Sequence, residues 1–293
     1  MHLRDKLAEK LGCPVSRLVD LHGGMIAEVR LVELSDGRRF VVKTSERTPL
    51  SVEARMLEFL SSQAALPVPA VVEHSNDLLI MEFVEGESGS RAQEERNAAE
   101  HLARLHSLQP GEHPPFGVAP SVDSFGFYFD TLIGPFPQRN RWDSDWPAFY
   151  GSQRLEPLLE ICLSRGHIGP PLAGRLEAVV EGLPSLLDHS PRPGLIHGDV
   201  WSGNVLFRGG VVSAFLDPAI CFADPEVELA FIELFSTFGR GFWQRYEELR
   251  GVDQDYRRLP RDLYQLYPLL VHVALFGAGY VRRVEERLDR LGF

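Results

Sequence analysis

The first 84 residues alternate short apolar runs with turn residues, a pattern that predicts a small sheet. In chain order it predicts a helix, three strands, a second helix and two further strands. The second helix is expected over residues 51–62, where apolar positions recur at helical spacing, with Ser51 as its N-cap. Pro67 and Pro69 mark the start of the fourth strand. We therefore predict one lobe over residues 1–84.

Residues 85–293 carry mostly helical periodicity and predict a second, larger lobe. Helices are expected over residues 92–108, 153–163, 172–187, 226–238 and 260–291. A length of 293 residues suits two lobes, and the 44% hydrophobic content suffices for sizeable cores. The predicted fold class is α+β, with a small antiparallel-sheet lobe plus one helix before a larger, mostly helical lobe.

The segment 125–150 fits no single regular element. It holds nine of the 29 aromatic residues of the chain, interleaved with glycine, proline and asparagine. Such an insertion could form one wall of a substrate cleft, which makes Trp142 a candidate substrate contact, together with Asp143, Asp145 and Trp146. Aromatic residues beneath a long loop also commonly fill a satellite core. The sequence leaves both interpretations open.

The charge balance and the cysteines limit the classes of partner. A net charge of −11 and a pI near 5.4 argue against nucleic acid or an anionic membrane as the main partner, whereas acidic walls would favour a cationic substrate. The three cysteines, Cys13, Cys162 and Cys221, form no C-x-x-C pair and are odd in number. They indicate neither a disulfide framework nor a zinc site.

No segment predicts export or a membrane span. The N-terminal residues carry mixed charge and lack the apolar core of a signal peptide. The longest apolar run, residues 267–281, contains Pro268 and His272 and is shorter than the roughly 20 residues that a span needs. We expect a buried helix there, with His272 as a core histidine rather than a ligand. A cytoplasmic location is the simplest expectation.

The strongest chemical signal is the run L-I-H-G-D-V-W-S-G-N-V-L-F at residues 195–207. Its Asp199 is followed five residues later by Asn204, and Asp217 stands thirteen residues beyond that. Kinases need one carboxylate to accept the proton of the attacking hydroxyl, and amide and carboxylate oxygens to hold Mg²⁺. Asp199 suits the first role, and Asn204 and Asp217 suit the second. A polar surface turn is the alternative, but it would not need a second acid at this distance.

The spacing from Asp199 to Asn204 matches the protein-kinase catalytic loop H-R-D-x-x-x-x-N. Gly198 stands where that loop has its arginine, which points away from protein kinases. The apolar flanks at residues 195–196 and 205–207 are expected to form short buried strands that hold the loop rigidly.

Lysine is rare in this chain, although Lys and Arg together number 30. It occurs only at Lys6, Lys10 and Lys43. Lys43 ends an apolar run that resembles the V-A-I-K strand of kinases, whose lysine pairs with the α- and β-phosphates of ATP. Its expected partner is an acid on the following helix, and Glu53 is preferred to Glu58 because it lies in the first turns. The alternatives are that Lys43 is an ordinary solvated strand end and that Glu53 is an ordinary acid at the start of a helix.

Two further segments are expected to contact ATP. Glycines just upstream of the Lys43 strand would let the backbone approach phosphates, and the candidate residues are Gly23, Gly24 and Met25. The apolar run 78–84 ends in a Glu-Gly turn that would present its backbone to adenine. The expected contacts there are Met81, Glu82, Phe83 and Val84. Judged alone, the first segment could be any hairpin loop, and the second an edge strand followed by a loop.

With these residues in place, the chain resembles the fructosamine kinase family, also called ketosamine kinases, a branch of the aminoglycoside phosphotransferase-like kinases with a protein-kinase-like fold. The family motif H-G-D-L-W-S-G-N is similar to residues 197–204, which differ only in having valine for leucine. Residues 217–219 resemble the family's D-P-A, and residues 226–230 resemble its E-F-E-L-A. Further similarity in residues 123–127, 135–138 and 142–149 extends the resemblance over nearly the whole chain.

The resemblance implies ATP-dependent phosphorylation of the third-carbon hydroxyl of a ketosamine, the sugar adduct that glycation leaves on an amine, followed by release of that amine. Within this reaction Asp199 takes the hydroxyl proton, Lys43 orients the phosphates, and Asn204 and Asp217 hold Mg²⁺. Trp201 is expected to line the sugar pocket, with a loop residue anchored in the core as the alternative. ATP and Mg²⁺ are the implied cofactors, and the partner is a small-molecule or protein-bound ketosamine.

One residue departs from the family pattern. Many members have a cysteine in the glycine loop where this chain has Met25, which argues against redox control through that loop. The sequence indicates neither the sugar nor the amine of the ketosamine. It also leaves the oligomeric state open, apart from an absence of heptads that argues against a coiled coil.

Two rival functions draw on the same residues. A phosphotransferase acting on an aminoglycoside or another small amino sugar would also use Asp199, Asn204 and Asp217, although Trp201 and the aromatic segment favour a ketosamine. A pseudokinase would bind nucleotide or a partner without chemistry, and such proteins usually lack catalytic residues. Here the residues for all the central roles, Lys43 included, are present.

Overall fold

The computed structural model describes residues 3–21, 27–111, 120–188 and 191–293. Its small lobe contains two helices, α1 (Leu3–Leu11) and α2 (Leu50–Gln63). Five strands form one antiparallel sheet in the order β1-β2-β3-β5-β4. They are β1 (Val15–Asp20), β2 (Glu28–Leu34), β3 (Arg39–Thr44), β4 (Val71–His74) and β5 (Leu78–Glu82). This sequence of elements confirms the one predicted from the apolar pattern.

The two faces of the five-stranded sheet pack against different helices, because side chains alternate along a strand. On β3, Phe40 and Val42 share a core with α1, whereas Val41 lies against α2. Lys43 comes two residues after Val41 and therefore points to the α2 face. The alternation thus directs the lysine side chain towards the acids of that helix.

The prediction that Ser51 caps α2 is wrong, because the helix begins one residue earlier and no side chain caps it. The helix begins at Leu50, after Pro49 in an extended conformation (φ −71°, ψ 101°). The Leu50 amide instead donates to the backbone carbonyl of Asn76 at 2.9 Å. Ser51 lies inside the helix, and its hydroxyl donates to Asn76 Oδ1 at 2.6 Å. A loop distant in sequence therefore satisfies the start of this helix.

The large lobe is mostly helical in its described residues. Its α-helices are α3 (Ala92–Leu105), α4 (Trp146–Tyr150), α5 (Glu156–Ser164), α6 (Pro170–Leu186), α7 (Glu226–Leu234), α8 (Arg240–Leu249), α9 (Pro260–Tyr264), α10 (Leu266–Phe276) and α11 (Val281–Leu291). A π-helical turn, Gly151–Leu155, joins α4 to α5, and a 3₁₀ turn, Gly277–Tyr280, joins α10 to α11.

Short antiparallel strand pairs complete this lobe. They are β6 (Thr131–Ile133) with β7 (Phe136–Gln138), β8 (Gly194–Ile196) with β11 (Cys221–Ala223), and β9 (Val205–Arg208) with β10 (Val211–Phe215). The apolar flanks of the Asp199 loop are therefore strands, as predicted. Together the two lobes confirm the α+β class.

Two predicted helices are too long. The helix expected over 260–291 is divided into α9, α10 and α11, and its clearest break is at Gly277, whose φ of +74° lies in the left-handed region. The helix expected over 226–238 ends at Leu234, shortly before Ser236 with a φ of +50°. A backbone in this region cannot continue a right-handed helix.

The other predicted helices differ mainly at their ends. The helix expected over 92–108 stops at Leu105, and the one expected over 172–187 runs from Pro170 to Leu186. The one expected over 153–163 begins in the π-helical turn before α5. Side-chain periodicity alone does not determine where a helix end frays or tightens.

The aromatic segment 125–150 belongs mainly to the core of the large lobe. Phe127, Trp146, Phe149 and Tyr150 are buried there. The core interpretation of this segment therefore describes most of its rings. None of the described helices combines the length and the apolar character that a membrane span needs. His272, expected as a core histidine, is partly buried, and its Nδ1 is 2.8 Å from the carbonyl oxygen of Pro268.

Residues 83–91 connect β5 to α3 and are attached to the large lobe. The amide of Glu87 donates to the carbonyl of Phe207 at 2.9 Å, and the amide of Phe207 donates back at 3.0 Å. This connection therefore runs along β9, the strand that follows the Asp199 loop. The lobe boundary at residue 84 stays a prediction.

Candidate active site

Two loops of the large lobe bring the predicted carboxylates and amide together. The loop between β8 and β9 carries Asp199 and Asn204, and the loop between β10 and β11 carries Asp217. The amide of Ala219 donates to the carbonyl of His197 at 2.8 Å, and the amide of Leu216 donates to the carbonyl of Asn204 at 2.8 Å. These bonds join the loops on both sides of Asp217. Residues far apart in sequence thus share one rigid support.

The side chain of Asn204 is oriented by Asp199. Its Nδ2 donates to Asp199 Oδ2 at 2.9 Å and to the Asp199 carbonyl at 3.0 Å. Both amide protons are thereby used within the loop, and Asn204 is only 5% exposed. Its amide oxygen is the remaining polar atom, and it can act only as an acceptor or a metal ligand.

Gly198 is required by the close approach of the two loops. Its φ is +86°, and a Cβ built on it would lie 2.3 Å from the carbonyl oxygen of Ala219. No other residue fits this conformation and this contact without a backbone shift. The geometry explains why glycine stands where the protein-kinase motif has arginine.

Lys43 joins the small lobe to the Asp217 loop. Its Nζ lies 2.6 Å from Glu53 Oε1 and also contacts Asp217 Oδ1. Glu53 is the acid that the sequence predicted as the partner of Lys43. We call Lys43, Glu53 and Asp217 the cleft triad. Half of the Asp217 side chain is exposed, whereas those of Lys43 and Glu53 are 10% and 15% exposed, so the network reaches solvent at Asp217.

Charge interactions shift the pKa values of the triad. Burial acts to lower the pKa of Lys43, but the carboxylates of Asp217 and Glu53 outweigh it and raise that pKa. Desolvation opposes the charge of Asp217, yet Lys43 lowers its pKa overall. The pKa of Glu53 is raised, by burial and by repulsion from Asp217, against the attraction of Lys43. One cation between two acids thus favours ionisation of Asp217 over that of Glu53.

Asp199 has a strongly perturbed pKa. Burial and the negative charge of Asp217 raise it to about 8, while the hydrogen bond from Asn204 acts in the opposite direction. A carboxyl group with a pKa near neutrality is a common property of proton-transfer sites. Compensation of the Asp217 charge by a cation would remove one of these causes and lower the pKa of Asp199.

A buried network beneath the Asp199 loop was not predicted from the sequence. Glu228 of α7 accepts hydrogen bonds from the amides of Gly198 (2.6 Å) and His197 (3.2 Å). Its Oε2 also lies 2.8 Å from His106 Nε2, and His106 Nδ1 lies 2.7 Å from the Tyr246 hydroxyl. We call Glu228, His106 and Tyr246 the loop anchor. The sequence feature that could have indicated this network is an acid, Glu228, directly before the apolar run 229–232 of α7.

The two predicted substrate tryptophans lie in different environments. Trp201 is 44% exposed, so it is not anchored in the core. Its ring covers Gly203, where a Cβ would lie 2.4 Å from the indole. Trp142 is partly buried and packs against the rings of Tyr128 and Phe222, at centroid distances of 5.3 and 6.0 Å. Of the two, Trp201 is the one that lies exposed in the Asp199 loop itself.

The segment expected to contact adenine comprises the last two residues of β5 and the two residues that follow. Met81 is buried against α2, and the amides of Glu82 and Phe83 donate to the carbonyls of Ala70 (2.9 Å) and Arg39 (3.4 Å). Among the described residues, neither backbone group of Val84 has a hydrogen-bond partner. Val84 is therefore the residue of this segment with both backbone groups available to a base. Gly23, Gly24 and Met25 lie outside the described residues.

The oxygen atoms near Asp217 suit a hard cation. Within the described ranges, no cluster of three or more His, Cys, Asp or Glu side chains could hold a metal ion. Magnesium in kinases typically takes one or two protein ligands, with phosphate and water oxygens completing its shell. The Asn204 amide oxygen and the Asp217 carboxylate are donors of this kind.

Comparisons with known proteins identify the family that this chain resembles. The profile described as fructosamine kinase matches residues 2–292. A probable ketoamine kinase of Thermus thermophilus is 35% identical over 268 residues, covering 89% of this chain and 88% of the relative. A probable ketoamine kinase of Vibrio vulnificus is 30% identical over 286 residues, covering 93% and 91%.

Solved structures show the same architecture. A structure from Thermobifida fusca, provisionally named fructosamine-3-kinase, has a TM-score of 0.84 at 29% identity and covers 98% of this chain and 97% of its own. An ADP-bound aminoglycoside phosphotransferase has a TM-score of 0.65 at 19% identity, covering 98% and 96%. The second likeness shows the shared protein-kinase-like fold alone.

Proposed function

The chain belongs to the fructosamine kinase family, and we propose that it transfers the γ-phosphate of ATP to the third-carbon hydroxyl of a ketosamine. The observation that carries this proposal is the convergence of the cleft triad with the Asp199–Asn204 pair. The phosphate ester formed is unstable, so its breakdown frees the amine and reverses glycation. The substrate is a ketosamine on a small molecule or on a protein side chain.

Asp199 is the proposed general base. It is fixed by Asn204, and its carboxylate would accept the proton of the sugar hydroxyl as the phosphoryl group is transferred. Burial and the negative charge of Asp217 raise its pKa to about 8. Compensation of the Asp217 charge by a cation would lower the pKa of Asp199 and so favour the ionised carboxylate that a general base requires.

Lys43, Asn204 and Asp217 are proposed to hold the nucleotide phosphates and their metal. The Lys43 ammonium would exchange its contact with Asp217 for the α- and β-phosphates and keep Glu53 as its partner. Asn204 and Asp217 would then hold Mg²⁺ through their oxygens. The ion neutralises the phosphate charges when it is bound. Gly23, Gly24 and Met25 are proposed phosphate contacts upstream.

The remaining contacts concern the base and the sugar. Val84 has both backbone groups free among the described residues and is proposed to pair with adenine, with Met81, Glu82 and Phe83 beside it. Trp201 is 44% exposed, lies two residues after Asp199 and is proposed to pack on the sugar. Trp142 is a weaker candidate, because its ring already packs on Tyr128 and Phe222. We place the reaction in the cytoplasm, where the three free cysteines would stay reduced.

The test measures ADP formation, with Mg²⁺, on ribulose-lysine, fructose-lysine, a glycated peptide and an aminoglycoside. Asp199→Asn serves as the blank, because removal of a positioned general base lowers turnover by about two to four orders of magnitude. We expect turnover on at least one ketosamine and loss of that turnover in the variant. Turnover on the aminoglycoside alone, or equal turnover by the Asp199→Asn protein, would overturn the proposal.

A further inference from the structure

The β6–β7 hairpin of the aromatic segment carries two buried polar side chains. Thr131 and Gln138 are 1% and 4% exposed, and burial of such groups is costly unless they are hydrogen-bonded. Gln138 Nε2 donates to the carbonyl of Ala219 at 3.0 Å, and Thr131 Oγ1 donates to the carbonyl of Ile220 at 3.2 Å. Both carbonyls lie within three residues of Asp217. The hairpin is therefore joined by two hydrogen bonds to the turn that carries the Asp217 carboxylate.

The two polar side chains of the hairpin are hydrogen-bonded to each other and to neighbouring residues. Gln138 Nε2 also donates to Thr131 Oγ1 at 2.9 Å, and the Tyr267 hydroxyl donates to Gln138 Oε1 at 2.7 Å. Asn140 Nδ2 donates to Thr131 Oγ1 at 2.8 Å, and the Arg154 guanidinium donates to Asn140 Oδ1 at 2.6 Å. A fully satisfied buried network fixes a single arrangement of its members. Gln138 thus has one available orientation.

The same turn is tied to the Asp199 loop on its other side. The Ala219 amide donates to the His197 carbonyl at 2.8 Å, while its carbonyl oxygen accepts from Gln138. Asp217 itself has a φ of +52°, in the left-handed region that non-glycine residues rarely adopt. Such a conformation persists only where surrounding contacts impose it. Gln138 supplies one of those contacts.

We propose that Gln138, oriented by Thr131 and Tyr267, is a positioning residue that sets the place of the Asp217 carboxylate for Mg²⁺. Gln138 touches neither the nucleotide phosphates nor the sugar in this role. The inference rests on the proposed function only in taking Asp217 as a metal ligand. Part of the aromatic segment therefore serves as a support for the metal site rather than as a wall of the substrate cleft.

The test replaces Gln138 by methionine, which has a similar shape and lacks the amide. Binding of ADP is measured by calorimetry over a series of Mg²⁺ concentrations, without any ketosamine. We expect the Mg²⁺ concentration for half-maximal enhancement of binding to rise about tenfold, the lower end of the loss seen when supporting residues of metal ligands are removed. ADP affinity without Mg²⁺ should match that of the unmodified protein.

The chain offers a matched control in Gln265. This glutamine is 3% exposed, its Nε2 donates to the Ala230 carbonyl at 3.1 Å, and its Oε1 accepts from Arg287 at 2.7 Å. Gln265→Met therefore removes an equivalent buried amide away from the Asp217 turn. It should lower thermal stability without changing the Mg²⁺ dependence. An equal Mg²⁺ shift in both variants would show a general structural effect and would overturn the proposal.

A milder variant keeps the inference testable if Gln138→Met does not fold. Tyr267→Phe removes only the hydroxyl that orients Gln138, and it should shift the Mg²⁺ dependence in the same direction by a smaller factor. An unchanged Mg²⁺ dependence in folded Gln138→Met, or in Tyr267→Phe if that is the folded variant, contradicts the inference. Because ADP binding needs no sugar, absence of ketosamine turnover would count against the proposed function while leaving this test decisive.

Discussion

The cleft triad and the loop anchor are both built around glutamate beside a basic side chain, but they differ in what surrounds them. In the loop anchor, the side chains of Glu228 and His106 are 0% exposed, and both Glu228 oxygens accept hydrogen bonds. In the cleft triad, one lysine serves two acids, and half of Asp217 remains exposed. The closed network holds the backbone of the Asp199 loop. The cleft triad has the charges that, in the proposed function, would contact a nucleotide and a cation.

The two networks are expected to contribute differently, the loop anchor to stability and the cleft triad to activity. Removing one member of a fully buried charged pair leaves the other without compensation, which is strongly destabilising. In the cleft triad, Lys43 contacts two acids, so removing one acid still leaves the lysine paired with the other, at a smaller cost in stability. We therefore expect variants of the loop anchor to affect folding first, and variants of the cleft triad to affect activity first.

The largest effect on stability is expected for Glu228→Ala. It leaves His106 and the amides of His197 and Gly198 buried without their acceptor. The free energy of unfolding should fall by about 3–5 kcal/mol, as for other broken buried pairs. Urea denaturation followed by circular dichroism measures this change. A loss below about 1 kcal/mol, the range of exposed pairs, would show that the loop anchor does not hold the fold.

The stability that Glu228 supplies should depend on pH. Burial opposes its charge, but the hydrogen bond and charge of His106, with the Gly198 amide, lower the pKa of Glu228 overall. A lowered folded-state pKa adds stability above the unfolded glutamate pKa of about 4.3, and this addition is lost as pH falls through the folded value. The difference in unfolding free energy between the unmodified protein and Glu228→Gln should therefore shrink as pH falls below about 4.3. Denaturation of both proteins from neutral to acid pH measures it, and a difference that grows on acidification contradicts the assignment.

A smaller effect is expected where the loop anchor meets the Asp217 turn, at Gly198. Gly198→Ala places a Cβ against the Ala219 carbonyl, whereas Gly209→Ala adds one at a similar backbone conformation in open space. The first substitution should destabilise the protein by about 1–3 kcal/mol more than the second, the usual cost of overpacking. It should also lower turnover, because the two loops must separate. Thermal denaturation and ADP formation by the two variants measure these effects. Equal losses of stability and turnover in both variants would show that the contact between Gly198 and the Ala219 carbonyl is not what requires glycine.

The smallest effect on stability is expected for Glu53→Gln in the cleft triad. Lys43 keeps its contact with Asp217, and the raised pKa of Glu53 shows that its charge gains little from folding. Because the glutamine oxygen can still accept a hydrogen bond from Lys43, the free energy of unfolding should change by no more than about 1 kcal/mol, the net contribution of one hydrogen bond. Turnover should fall about 10- to 100-fold, because Lys43 would be poorly placed for the phosphates. A stability loss as large as that of Glu228→Ala would erase the contrast between the two networks.

Much of the fold and of the candidate site could be predicted from local patterns. The strands on both sides of the Asp199 loop follow from apolar runs bounded by turn residues. The partnership of Lys43 with Glu53 could be anticipated because strand alternation and helix position constrain both residues. These features depend on residues close in sequence or on one short spacing, which is what a single sequence displays.

The features that escaped prediction depend on partners far away along the chain. His106 meets Glu228 and Tyr246 across more than a hundred residues, and no local pattern marks a histidine for such a role. Gln138 likewise appears as one polar residue in a Pro-Phe-Pro-Gln run until folding places the Ala219 carbonyl against it. The start of α2 was misjudged for the same reason, since a distant loop carbonyl satisfies its first amide.

The most direct test of the central claim is to locate the transferred phosphate. The protein, Mg-ATP and a ribulose-lysine or fructose-lysine substrate would be followed by phosphorus–proton correlation NMR, with free lysine measured in the same sample. We predict a phosphate coupled to the proton on the third sugar carbon, followed by release of lysine as that signal decays. Phosphate on any other hydroxyl, or none on the sugar while ADP accumulates, would contradict a ketosamine 3-kinase.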